Sequence, residues 1–66
     1  LVGELHYWEG IVSKYPEYRD GYFHLALVQY QAGETQDAGI SLEKVLAIDP
    51  TYAPGLAFRQ KMMGSE

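Results

Sequence analysis

Apolar side chains recur at Leu1, Leu5, Trp8, Val12 and Tyr15, in alternating steps of four and three residues. Such steps put them on one stripe of an α-helix. The helix is predicted to stop near Lys14, because the residue before Pro16 is pushed toward extended geometry. A second helix is predicted from about Asp20 to Ala32. It carries Tyr22, Leu25, Ala26 and Gln29 on one stripe and Phe23, Leu27 and Tyr30 on another, so neighbours are expected on more than one side. Gly33 is its natural stop, since glycine takes the left-handed conformation at a helix C-terminus without steric cost. Thr35 or Asp37 is expected to cap a third helix, Thr35 to Ile48, with Ala38, Leu42, Val45 and Leu46 buried and Asp49-Pro50 as its end. Pro54 suits the first turn of a fourth helix, where its missing N–H costs nothing. Leu56, Phe58, Met62 and Met63 are its expected contact residues. The pattern is all-α: four helices whose short connections predict antiparallel packing of sequential neighbours.

The chain also matches itself at a shift of 34 residues. Glu9 meets Glu43, Pro16 meets Pro50, Tyr18 meets Tyr52 and Gly21 meets Gly55, with Ile11 over Val45, Val12 over Leu46 and Trp8 over Leu42. A period in this range points to a solenoid of helix-turn-helix units. Stacked copies of one helical hairpin share a core that no single copy could bury.

The stretch from Arg19 to Pro50 resembles one complete tetratricopeptide repeat, whose motif runs W-x₂-L-G-x₂-Y, then A-x₃-F, then P. Tyr22 stands for the tryptophan, Leu25 for the leucine and Ala26 for the small glycine; Ala38 and Leu42 match the A-x₃-F step, and Pro50 closes the unit. Gln29 departs from the motif tyrosine, and Gly39 sits inside a helix at a cost of about 1 kcal/mol relative to alanine. The resemblance implies a right-handed helical-hairpin solenoid forming a single domain over 1–66. Residues 1–15 would be the second helix of a partial repeat, 19–52 a complete repeat, and 53–64 the first helix of a following repeat or a capping helix.

Repeats of this family stack so that their first helices line a concave groove for peptides or protein segments. The resemblance assigns that groove to Asp20, Phe23, His24, Leu27, Tyr30 and Gln31. Phe23 and Leu27 stand where members that clamp a C-terminal carboxylate need lysine and asparagine, so the expected ligand offers apolar side chains instead. The competing reading is that Phe23, Leu27 and Tyr30 simply pack against the first and fourth helices. Tyr18 and Tyr52, at equivalent places after the prolines, are expected to wedge between successive hairpins. A second function class follows from the ends. The face of the first helix with Leu1, Leu5, Tyr7 and Trp8, together with Met62 and Met63 on the fourth, is expected to lack internal cover. That predicts a self-assembly unit that dimerises or stacks through uncapped terminal helices.

Composition narrows the field. A chain of 66 residues is one domain at most and buries only about 60% of the surface its unfolded form exposes. Its 47% apolar content marks it as built to pack. The net charge is −4 and the five bases, Lys14, Arg19, Lys44, Arg59 and Lys61, are scattered. Neither a nucleic-acid groove nor an anionic membrane is therefore an expected partner. Cysteine is absent, which removes disulfides and thiolate metal sites and leaves the redox compartment open. No apolar run reaches membrane-span length, and "LVGELHYWEG" lacks the basic start of a signal peptide. A soluble protein is expected, the cytoplasm being slightly favoured. The start at Leu1 reads as a processed or excised piece of something longer.

Catalytic signals are missing. His6 with Glu9, and His24 with Asp20, have spacings that could set two metal ligands on one face, but neither pair has a third ligand. Ser13 and Ser41 have no evident activating base, and no phosphate loop or nucleotide fingerprint is present. No enzyme, cofactor or metal is expected. The partner classes left are a protein or peptide segment and a second copy of the chain.

Overall fold

The structure, a computed structural model, describes residues 2–64. Leu1, predicted at the exposed end of the first helix, lies outside them. The described residues form four helices: α1 (Val2–Lys14), α2 (Arg19–Gln31), α3 (Thr35–Ile48) and α4 (Ala53–Met63). Connections of four, three and four residues join them. Turns this short fold each helix back on the one before, and successive helices pack as antiparallel neighbours. None is long and apolar enough to cross a membrane.

The helix ends follow from the chain. The α1 helix closes with Lys14 in its last turn, where a cation complements the helix dipole, and Pro16 follows in the turn. At the end of α2, Gly33 takes φ 85°. Its N–H donates to the Tyr30 carbonyl at 3.1 Å, and the Glu34 N–H donates to the Gln29 carbonyl at 2.8 Å. These are the paired bonds of a Schellman turn, and the left-handed residue it needs is the glycine. The expected cap of α3 by Thr35 or Asp37 is not made. The turn delivers the chain directly to Glu34, which occupies the N-cap position without a side-chain bond. Asp37 instead sits inside the first turn, where its negative charge faces the helix N-terminus. Pro54 lies in the first turn of α4.

Two apolar clusters hold the helices together. Leu5 of α1 meets Leu25 and Val28 of α2, with Trp8 and Val12 at the margin. Ala26, Leu42, Val45 and Phe58 join α2, α3 and α4, with Phe23, Leu27, Tyr30, Leu46 and Met62 packed around them. Burial of a side chain such as Phe58 contributes about 1.5–3 kcal/mol, a large part of what so small a chain can hold.

The 34-residue echo recurs in three dimensions. A Cβ added to Gly21 would lie 2.8 Å from the Tyr18 ring, 3.2 Å from Val12 and 3.4 Å from Ile11. At Gly55 the neighbours are Tyr52 at 3.2 Å, Leu46 at 3.3 Å and Val45 at 3.3 Å. Every member of the second set stands 34 positions after its counterpart. Each glycine lets its helix approach the preceding one closely, under the ring of the tyrosine that follows the proline.

The interior differs from the expected one at Val28, Ser41, Leu46 and Met63, Leu46 being half-buried at the edge of the main cluster. Val28 and Ser41 are buried although neither was assigned to the core. Ser41 reaches that position because its hydroxyl donates to Gln29 Oε1 at 2.7 Å, so a polar pair is satisfied inside the α2–α3 contact. Met63, expected as a contact residue of α4, is instead 76% exposed, because no described helix lies beyond it.

Candidate interaction surfaces

The residues predicted to line a groove do share one helix, but their surroundings split them. Phe23, Leu27 and Tyr30 are half-buried on α2, packed against the cluster that includes Phe58. Tyr30 and Phe23 meet the Phe58 ring edge-on, with centroids 5.4 and 6.1 Å away. Phe23 also meets Tyr52 edge-on at 5.5 Å. Edge-to-face contacts of this kind fix ring orientation as well as burying area. The packing reading therefore describes one side of these three side chains, while the other side remains open to solvent.

His24 and Gln31 are exposed. The His24 ring lies flat on Trp8 of α1, centroids 4.5 Å apart and planes 12° from parallel. Asp20 is occupied by its neighbour: Arg19 Nε donates to its carboxylate at 3.0 Å. The same guanidinium donates to Asp49 at 2.8 Å and sits over the Tyr52 ring, 3.9 Å from its centroid. Hydrogen bonds to Asp20 and then Asp49 push Arg19 above the ordinary guanidinium range, so it is a fixed positive charge. Arg19 thus ties the start of α2 to the turn before α4. This link was not foreseen, although Asp49 and Arg19 border the two proline turns and their opposite charges were a usable signal.

The surface predicted to be uncovered is only partly so. Leu5 is buried under α2, and Trp8 is half-buried with His24 on its face. The expectation of a bare α1 face at these two residues is corrected: α2 covers them, because Leu25, Val28 and His24 point toward α1. Tyr7 is 59% exposed and rests edge-on against Trp8. At the other end Met62 packs against the main cluster, and Met63 stands out in solvent.

A concavity lies elsewhere than on α2. A groove of about 450 Å³ runs between α3 and α4, bordered by Gly39, Leu42, Leu46, Arg59, Met62 and Met63. It is open because Gly39 presents no side chain and nothing lies within 4 Å of where its Cβ would be. The self-comparison held the signal for it, since the residue 34 positions before Gly39 is the bulky Leu5.

Among the described residues no three histidine or acidic side chains converge as metal ligands would. The surfaces offer apolar area, ring faces and a few polar margins.

No family model matches the chain. No curated protein and no solved structure is found similar to it either.

Proposed function

We propose that the chain is a non-catalytic protein-interaction module of tetratricopeptide type, and that the α2 face binds an apolar-rich peptide or protein segment. The observation that carries this reading is the row Phe23, Leu27 and Tyr30. Phe23 and Tyr30 are backed by the Phe58 ring, Phe23 also by Tyr52, and Leu27 by the same apolar cluster; all three are half-exposed in front, with the polar groups of His24 and Gln31 beside them. A face whose rotamers are already fixed loses little entropy when a partner docks, which is what a recognition surface needs. Phe23, Leu27 and Tyr30 supply contact area, His24 and Gln31 supply polar selection, and Asp20 is held back by Arg19. The match of Arg19–Pro50 to the tetratricopeptide pattern and the repeated tyrosine-over-glycine contacts support the assignment of type.

The test is an array of apolar-rich peptides probed with the labelled protein and with Leu27→Lys. A subset of peptides should be captured, and Leu27→Lys should weaken capture about tenfold, equal to about 1.4 kcal/mol, with unchanged helicity by circular dichroism. Capture of the same peptides at equal strength by the variant, or of none by either protein, refutes the reading.

A further inference from the structure

The contact between α2 and α3 contains a polar pair, Ser41 donating to Gln29, both buried. Their counterparts 34 residues away are Tyr7, before Ser41, and Met63, after Gln29. Both counterparts are large, apolar and among the most exposed side chains of the molecule, 59% and 76% respectively. One sits on α1, the other beside the α3–α4 groove. The equivalence extends further. Leu42 and Phe58, joined in the main cluster, correspond to Trp8 and His24, which stack. In repeat terms α1 is the same kind of helix as α3, and the face of α4 that carries Met63 is the same kind of surface as the face of α2 that α3 covers through Ser41 and Gln29.

The geometry points to head-to-tail stacking: α1 of a second copy seats on α4 over the α3–α4 groove, with its Tyr7 on Met63, as α3 seats on α2 within one chain with its Ser41 on Gln29. The occupant is a second copy because α1 is the segment that repeats α3. Charge agrees with this choice. The groove is bordered by Glu43 of α3 and Arg59 of α4, and α4 itself carries Arg59 and Lys61 and no acidic residue, while α1 carries Glu4 and Glu9 against the single Lys14. The two surfaces differ, so the contact does not close on itself and can propagate from copy to copy. The inference is independent of the α2 face proposed to bind peptides.

The test is sedimentation equilibrium from about 1 to 200 μM on the unaltered chain, on Tyr7→Lys, on Met63→Lys, and on an equal mixture of the two variants. Both substituted positions are exposed, so each variant should keep its helicity. The unaltered chain should grow in mass with concentration, and each variant alone should associate about tenfold or more weakly. The mixture should recover association but stop at dimers, because the intact Tyr7 of one variant meets the intact Met63 of the other. A monomer at every concentration overturns the proposal and leaves the groove to another segment or protein. Met63→Lys associating as strongly as the unaltered chain also overturns it, since that is the behaviour of a symmetric α1–α1 contact.

Discussion

At the junction of α1 and α2, Leu5 drops between Leu25 and Val28; at the junction of α3 and α4, the counterparts of these three residues are Gly39, Arg59 and Met62. The backbone frame is the same, as the Gly21 and Gly55 contacts show, yet the first junction is filled and the second is an open groove. The difference teaches that close helix approach and side-chain filling are specified separately. The glycine beneath the tyrosine ring sets how near two helices come. The residues one to two turns farther along decide whether the space between them is core or binding surface. Arg59 in place of leucine also keeps this stretch of α4 in contact with water.

The most severe way to break the comparison is at the ring that each half places next to its large outer-helix residue. Phe58 is buried among Ala26, Leu42 and Val45 and receives the edges of Phe23 and Tyr30. Phe58→Ala should cost about 3–5 kcal/mol through lost transfer energy and the cavity left behind. That is comparable with the whole stability of a domain this size, about 3–10 kcal/mol at ordinary values per residue. Its counterpart His24 is exposed and contributes a stacked contact with Trp8. His24→Ala should cost only about 0.5–1.5 kcal/mol. Urea unfolding of both variants measures the ratio, and equal losses would mean that the two halves are packed alike.

An intermediate effect is expected at the buried polar pair. Ser41→Ala leaves Gln29 without its partner in the α2–α3 contact, a loss of about 1–3 kcal/mol for a stranded polar group. Replacing both partners, Ser41→Ala with Gln29→Met, removes the unmet demand and should recover most of that loss. Recovery in the double variant, read from the denaturant midpoint, would sharpen the comparison. It would show that an apolar pair serves this contact as well as the buried polar pair does.

How far the chain announces this architecture depends on the range of the signal. Helix ends were legible because Pro16, Gly33, Pro50 and Pro54 act within a few residues of themselves. The α3 cap was misread because Thr35 and Asp37 are both good capping residues, and the geometry of the preceding turn decided against them. Core membership was legible for Leu25, Ala26, Leu42 and Val45, which follow helical spacing. It failed for Ser41, whose burial depends on a partner 12 positions away. Leu5 was misplaced for a related reason: periodicity finds the apolar face of a helix but does not say whether a neighbour lies across it. The α2 face was assigned through family resemblance, while the α3–α4 groove required comparing each residue with the one 34 positions later.

The smallest effect tests the groove itself. Gly39 lies inside α3, and a Cβ there would meet nothing within 4 Å. Gly39→Ala therefore brings the helix preference of alanine without a clash, a gain of about 0.8–1 kcal/mol. In a domain of this size that should raise Tm by about 4–8 °C. The gain should be full only in dilute samples. Where copies stack, α1 of the next chain occupies the space into which the new methyl points, so the same substitution that stabilises the monomer should weaken the assembly. Thermal unfolding at low and high protein concentration separates the two terms. A gain that is the same at both means the groove stays empty, and a loss at both means α3 and α4 lie closer together than their open groove implies.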